Sequence, residues 1–149
     1  MTNQEIQLFM IKMLGNKYPL FIDSYPDDID MENFISVTLS EERQLNICFY
    51  PQNTYISIYT DYPSLDDRLL DVNEANQIIM DFKKEKSPFD TLTVSDEHNG
   101  LRLIKFVTKE ELKETIISEL IEYLEKPNQF LIRLYKLTNF IEKEKKNER

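Results

Sequence analysis

The stretch ISVTLSEERQLNICFYPQNTYISIY, residues 35–59, decides the fold. Ile35, Val37 and Leu39 alternate with Ser36 and Thr38, and after Ser40–Arg43 the alternation resumes in Leu45, Ile47 and Phe49. Pro51-Gln52-Asn53 interrupts the chain again before Ile56 and Ile58. A period of two is that of a strand with one buried face. Three such runs joined by short connections predict an antiparallel meander with one apolar side.

Helical patterns flank this meander. Thr2-Asn3-Gln4-Glu5 is a capping box, and Ile6, Phe9, Met10, Met13 and Leu14 follow at helical spacing until Gly15, which predicts a helix over about 3–15. Pro19 to Asn33 reads as an acidic connection with a short extended piece at Leu20–Asp23. Asp61 to Leu70 reads as a loop. Asp71-Val72-Asn73-Glu74 then caps a second helix with the stripe Val72, Ala75, Ile78, Ile79 and Phe82, ended by Pro88. Strands are expected over Thr91–Ser95 and Leu101–Thr108, around a turn whose Asn99-Gly100 pair suits a positive φ. Thr108-Lys109-Glu110-Glu111 is a third capping box, opening a helix over Lys109–Glu125 with Leu112, Ile116, Leu120, Tyr123 and Leu124 on its apolar face. Pro127 breaks that helix, and Phe130, Leu134, Leu137 and Ile141 recur beyond it at heptad spacing, widened by Leu131 and Tyr135. The expected fold is therefore α+β: helix, three-stranded antiparallel meander, helix, β-hairpin, helix, plus an extra C-terminal helix after Pro127. Residues 1–126 form a single domain and 127–149 a helical extension.

A chain of 149 residues suits one domain, and 41% hydrophobic against 30% charged residues is a globular balance. No run approaches the ~20 apolar residues needed to span a bilayer, so no membrane is expected. The start Met-Thr-Asn-Gln-Glu has neither a basic region nor a cleavage site, and a single Cys48 suits a reducing compartment. The expected compartment is the cytoplasm. A net charge of -9, with the one dense basic run (Glu142–Arg149) interleaved with acids, argues against nucleic acid and toward basic partners.

Little in the composition can assemble into an active site. The one histidine, His98, falls in a hairpin turn, and Cys48 in a strand, so a dyad would need both to meet by chance. Two glycines cannot build a phosphate-cradling loop, and zinc-type Cys/His spacing is absent. Asp23, Asp27, Asp28, Asp30 and Glu32 cluster before the meander and Asp61, Asp66, Asp67 and Asp71 after it, but neither run has the pattern of a calcium loop. No catalytic residue, cofactor or metal is expected, and the chain reads as a non-enzyme.

Aromatic residues stand out instead. The meander parity opposite to the aliphatic set carries Phe34, Cys48, Tyr50, Tyr55 and Tyr59, and on the last strand Ile104 and Phe106 oppose Leu101 and Leu103. A sheet backed by helices leaves its other face to solvent or to a partner, and tyrosines there supply rigid contact area. The candidate partner-binding residues are Phe34, Tyr50, Tyr55 and Tyr59 on the sheet, with Phe130, Leu134, Leu137 and Ile141 on the last helix. An alternative surface is acidic: Asp27, Asp28, Asp66 and Asp67.

The order helix, three strands, helix, two strands, helix resembles the type III secretion chaperones and the YbjN-like proteins. Leu69-Leu70-Asp71-Val72-Asn73 looks like that superfamily's entry to the second helix, Asp96–Leu103 like its polar turn and apolar strand, and Thr108–Leu124 like its capped final helix. The resemblance implies a small, acidic, homodimeric protein that binds an extended segment of another protein. The helix after Pro127 departs from the pattern. The expected function is a non-enzymatic protein-binding domain, chaperone-like or adaptor. One alternative is an acidic immunity-type inhibitor that caps a basic toxin or nuclease. Another is a hydrolase using the loop carboxylates.

Overall fold

A computed structural model describes residues 2–25, 30–64, 71–95, 100–126 and 128–147, with side chains as far as Thr138. The fold is α+β. Its elements are α1 (Asn3–Leu14), β1 (Leu20–Asp23), β2 (Asn33–Ser40), β3 (Arg43–Phe49), β4 (Tyr55–Tyr62), α2 (Val72–Phe82), β5 (Thr91–Ser95), β6 (Gly100–Thr108), α3 (Glu114–Glu125) and α4 (Gln129–Asn147). The strands form one antiparallel sheet in the order β1-β2-β3-β4-β6-β5.

The meander stands where the alternation puts it, with Ile35, Val37, Leu45, Ile47, Phe49, Ile56 and Ile58 buried on one face. Two features enlarge it. The extended piece Leu20–Asp23 pairs with β2 as an edge strand, and β4 runs on through Asp61 and Tyr62, which the sequence assigns to a loop. The hairpin joins through β6, which pairs with β4 along its whole length. Gly100 is needed there for a reason other than the expected positive φ: a Cβ on it would lie 2.1 Å from the Tyr62 carbonyl oxygen. Only a residue without a side chain lets β6 start against the end of β4.

The helices contribute to the same core. Ile6, Met10 and Leu14 of α1, Ala75, Ile78 and Phe82 of α2, and Ile117, Leu120 and Ile121 of α3 are buried. The Thr2–Glu5 capping box closes as expected, and Asp71 caps α2 by accepting from the Asn73 and Glu74 amides. Val72, expected in the buried stripe, is exposed because it sits in the first turn, beyond the edge of the core.

Two expectations about the C-terminal third are corrected. The Thr108 hydroxyl does accept from the Glu111 amide, but no helix begins there. The Lys109 amide still donates to the Thr54 carbonyl, extending the sheet ladder by one residue, so α3 starts only at Glu114. The second correction concerns α4. Lys126 is extended, as a residue before proline must be, and Asn128 caps α4 by accepting from the Phe130 and Leu131 amides. Phe130, Leu131 and Leu134 are then buried in the core that the other elements share, and Leu137 packs against it. Phe130 meets the Phe82 ring at 5.6 Å, and Arg133 pairs with Asp81 at 2.6 Å. Residues 128–138 thus share one core with the rest of the chain. Phe130 and Leu134 are not available as a partner surface, and the Ile141 side chain lies outside the described residues.

Candidate functional site: the uncovered face of the sheet

Alternation in the strands fixes what the face opposite the core displays. One cross-strand row runs Phe21–Ser36–Asn46–Tyr59–Ile104–Thr91, and the next Asp23–Phe34–Cys48–Ser57–Phe106. Tyr55 pairs with Thr108 in a further row. Large apolar rings lie open on this face: Phe21 is 62% exposed, Tyr55 61% and Phe106 49%. Phe21 packs its ring against Phe34 at 6.4 Å. Of the expected residues, Phe34, Tyr50, Tyr55 and Tyr59 all fall on one side of the sheet or its margin, which the period of two made legible. Phe21 belongs to the same patch, but a four-residue strand is too short to show its parity in sequence alone.

The centre of the face is closed rather than open. Arg102 holds Asp61 through two bonds of 2.6 and 3.1 Å and lies 4.0 Å over the Tyr59 ring. The Tyr59 oxygen in turn is 3.5 Å from Cys48 Sγ. Tyr59 is therefore half-buried and braced, a support for the patch more than a contact on it. Burial pushes the Cys48 thiol up to about 12, and burial followed by the contact with Cys48 also raises the Tyr59 phenol. A thiol held neutral in this way is a poor nucleophile. Asn46, 9% exposed between Ser36 and Tyr59, keeps its Oδ1 shielded with no hydrogen-bond donor among the described residues.

Electrostatics of the face are lopsided. Of the three cations in the six strands, Arg102 stands on this face, while Arg43 and Lys105 share the parity of the core residues Leu45 and Leu103. Each is engaged internally: Arg43 with Thr60, the Asp61 carbonyl and the Tyr62 ring, Arg102 with Asp61, and Lys105 with Asp90 at 3.1 Å. Lys109, just beyond β6, donates to the Tyr50 and Pro51 carbonyls. The acids differ. Asp23 accepts from the Tyr25 hydroxyl at 3.4 Å, and Glu32 acts on Tyr50, whose phenol its negative charge raises. Among the described residues no lysine or arginine pairs with either.

The acidic alternative surface cannot be placed, since Asp27, Asp28, Asp66 and Asp67 lie outside the described residues, as does His98. Two acids from those clusters have structural roles: Asp61 in its pair with Arg102, and Asp71 as a helix cap. No described helix is long and apolar enough to cross a membrane. No group of three His, Cys, Asp or Glu among the described residues is arranged to hold a metal ion. No protein-family model, curated protein or solved structure matches the chain.

Proposed function

We propose that this chain is a non-enzymatic binding module that holds another protein against the uncovered face of its sheet. The observation that carries the reading is that Phe21, Tyr55 and Phe106, three large rings about half or more exposed, all stand on one side of a sheet whose other side is the core. Exposed rings on a fixed scaffold supply contact area at little cost in side-chain entropy, and several of them on one face give an extended partner anchor points along it. The order of elements, which resembles the secretion chaperones, agrees with a client-holding role. The buried neutral thiol of Cys48 suits a reducing, cytoplasmic setting.

A photo-crosslinking residue in place of Tyr55 tests this in the native cell, with the same residue in place of Leu8, exposed on α1, as the control. Defined protein adducts are expected from position 55 and not from position 8. They should vanish in the triple variant Phe21→Ser, Tyr55→Ser, Phe106→Ser, whose circular dichroism stays that of the native chain. Adducts from position 8 alone, or adducts that survive the triple change, would overturn the reading.

A further inference from the structure

From the charge pattern of this face we infer the chemistry of its occupant: a segment of another protein that places lysine or arginine side chains beside apolar ones. The inference rests on the binding reading above and adds to it the kind of partner. Two observations converge. The rings of Phe21 and Phe34 lie beside Asp23 and Glu32: Asp23 is the cross-strand partner of Phe34, and Glu32 acts on the Cys48 and Tyr50 side chains of the same face. Neither carboxylate has a cationic partner among the described residues, whereas every cation of the strands is tied to an acceptor inside the protein. The charged groups of this face thus offer negative charge, while its cation Arg102 is already held by Asp61.

Such a surface selects against two other occupants. An acidic segment would set carboxylate against carboxylate at Asp23 and Glu32. A second copy seated face to face would bring the same uncompensated acids and the same internally paired Arg102. A basic side chain lying across Phe34 gains both carboxylates and the π-face of a ring, while its apolar neighbours cover Phe21 and Phe106.

The test uses the full chain labelled with 15N and two acetylated decapeptides, one alternating Leu with Lys and one alternating Leu with Glu. At about 50 mM salt the Leu–Lys peptide is expected to shift the amides of Asp23, Phe34, Cys48 and Phe106 and to bind about ten-fold more tightly than the Leu–Glu peptide. Raising the salt to about 300 mM should shrink that preference, as should the double variant Asp23→Asn, Glu32→Gln, while Leu–Glu binding stays unchanged or tightens. Equal binding of both peptides at these amides overturns the charge inference and leaves the binding face standing. Leu–Lys shifts spread over acidic positions elsewhere, such as Glu74 and Glu114, overturn the inference as well. If dilution of the chain alone moves the same amides, the occupant is a second copy and the inference fails. If neither peptide perturbs the face, the binding reading itself loses its support.

Discussion

Cys48 shows what a single position gains from its neighbours. In sequence it is an isolated thiol in a strand; in the fold its Sγ meets the hydroxyl of Tyr59, whose ring lies against Arg102, itself paired with Asp61 of β4. Its parity was legible from Ile47 and Phe49 on either side. Its burial was not, because Arg102 is distant in sequence and no local pattern announces that pairing. With its pKa raised to about 12, the native thiol carries very little thiolate at pH 8, so it should react with iodoacetamide at least ~100-fold more slowly than in the unfolded chain. The linkage has a definite sign. The unfolded thiol ionises first, so the stability it confers is full below about pH 9 and is lost between about pH 9 and 12, by at most ~1.4 kcal/mol per pH unit. Urea titrations at several alkaline pH values check this, and Cys48→Ala should flatten that part of the profile.

Among the elements, α4 separates what an apolar stripe tells from what it leaves open. Heptad spacing of Phe130, Leu134 and Leu137 identifies the helix and its buried side, yet the same stripe would suit a partner's surface or the chain's own core. Only the position of Phe82, at the end of α2, decides between them. Leu134 is fully buried, so Leu134→Ala should cost about 2–5 kcal/mol, read as a lowered urea midpoint with unchanged slope. A detachable appendage would tolerate the change. The third capping box is the converse case. One of its two bonds forms, from the Glu111 amide to the Thr108 hydroxyl, but the Lys109 amide is claimed by Thr54, and a strand pairing that spans more than fifty residues outweighs a local helix signal.

Over the whole molecule, the α+β architecture was readable because alternation and capping agree along most of the chain. What escaped was the pairing of β1 with β2, since four residues are too few for a period to be counted, and the merging of residues 128–138 into the common core. The proposed binding face was half legible: the sequence marks Phe34, Tyr50 and Tyr55, but not Phe21, nor the fact that the strands' three cations are engaged internally. One core implies one cooperative unit. Native-state hydrogen exchange should therefore find the amides of Leu131 and Leu134 nearly as protected as those of β3, β4 and β6 at the sheet's centre, with β1 at its edge exchanging sooner. Independent early exchange across residues 131–138 would contradict a shared core.

The carboxylate of Asp90 has an effect that reaches past its own contacts. Where β5 begins at Thr91, β6 continues without a neighbour, and Asp90 fills the gap by accepting the Phe106 amide at 2.8 Å and the Lys105 ammonium at 3.1 Å. A side chain here does the hydrogen bonding of an absent strand while carrying charge at the rim. A foreign strand sliding along this margin would meet five residues of β5 and then a carboxylate that has to be displaced and stripped of its partners. Stacking of sheets edge upon edge, the usual route from a β-rich chain to a fibril, is interrupted on this side by one acidic residue.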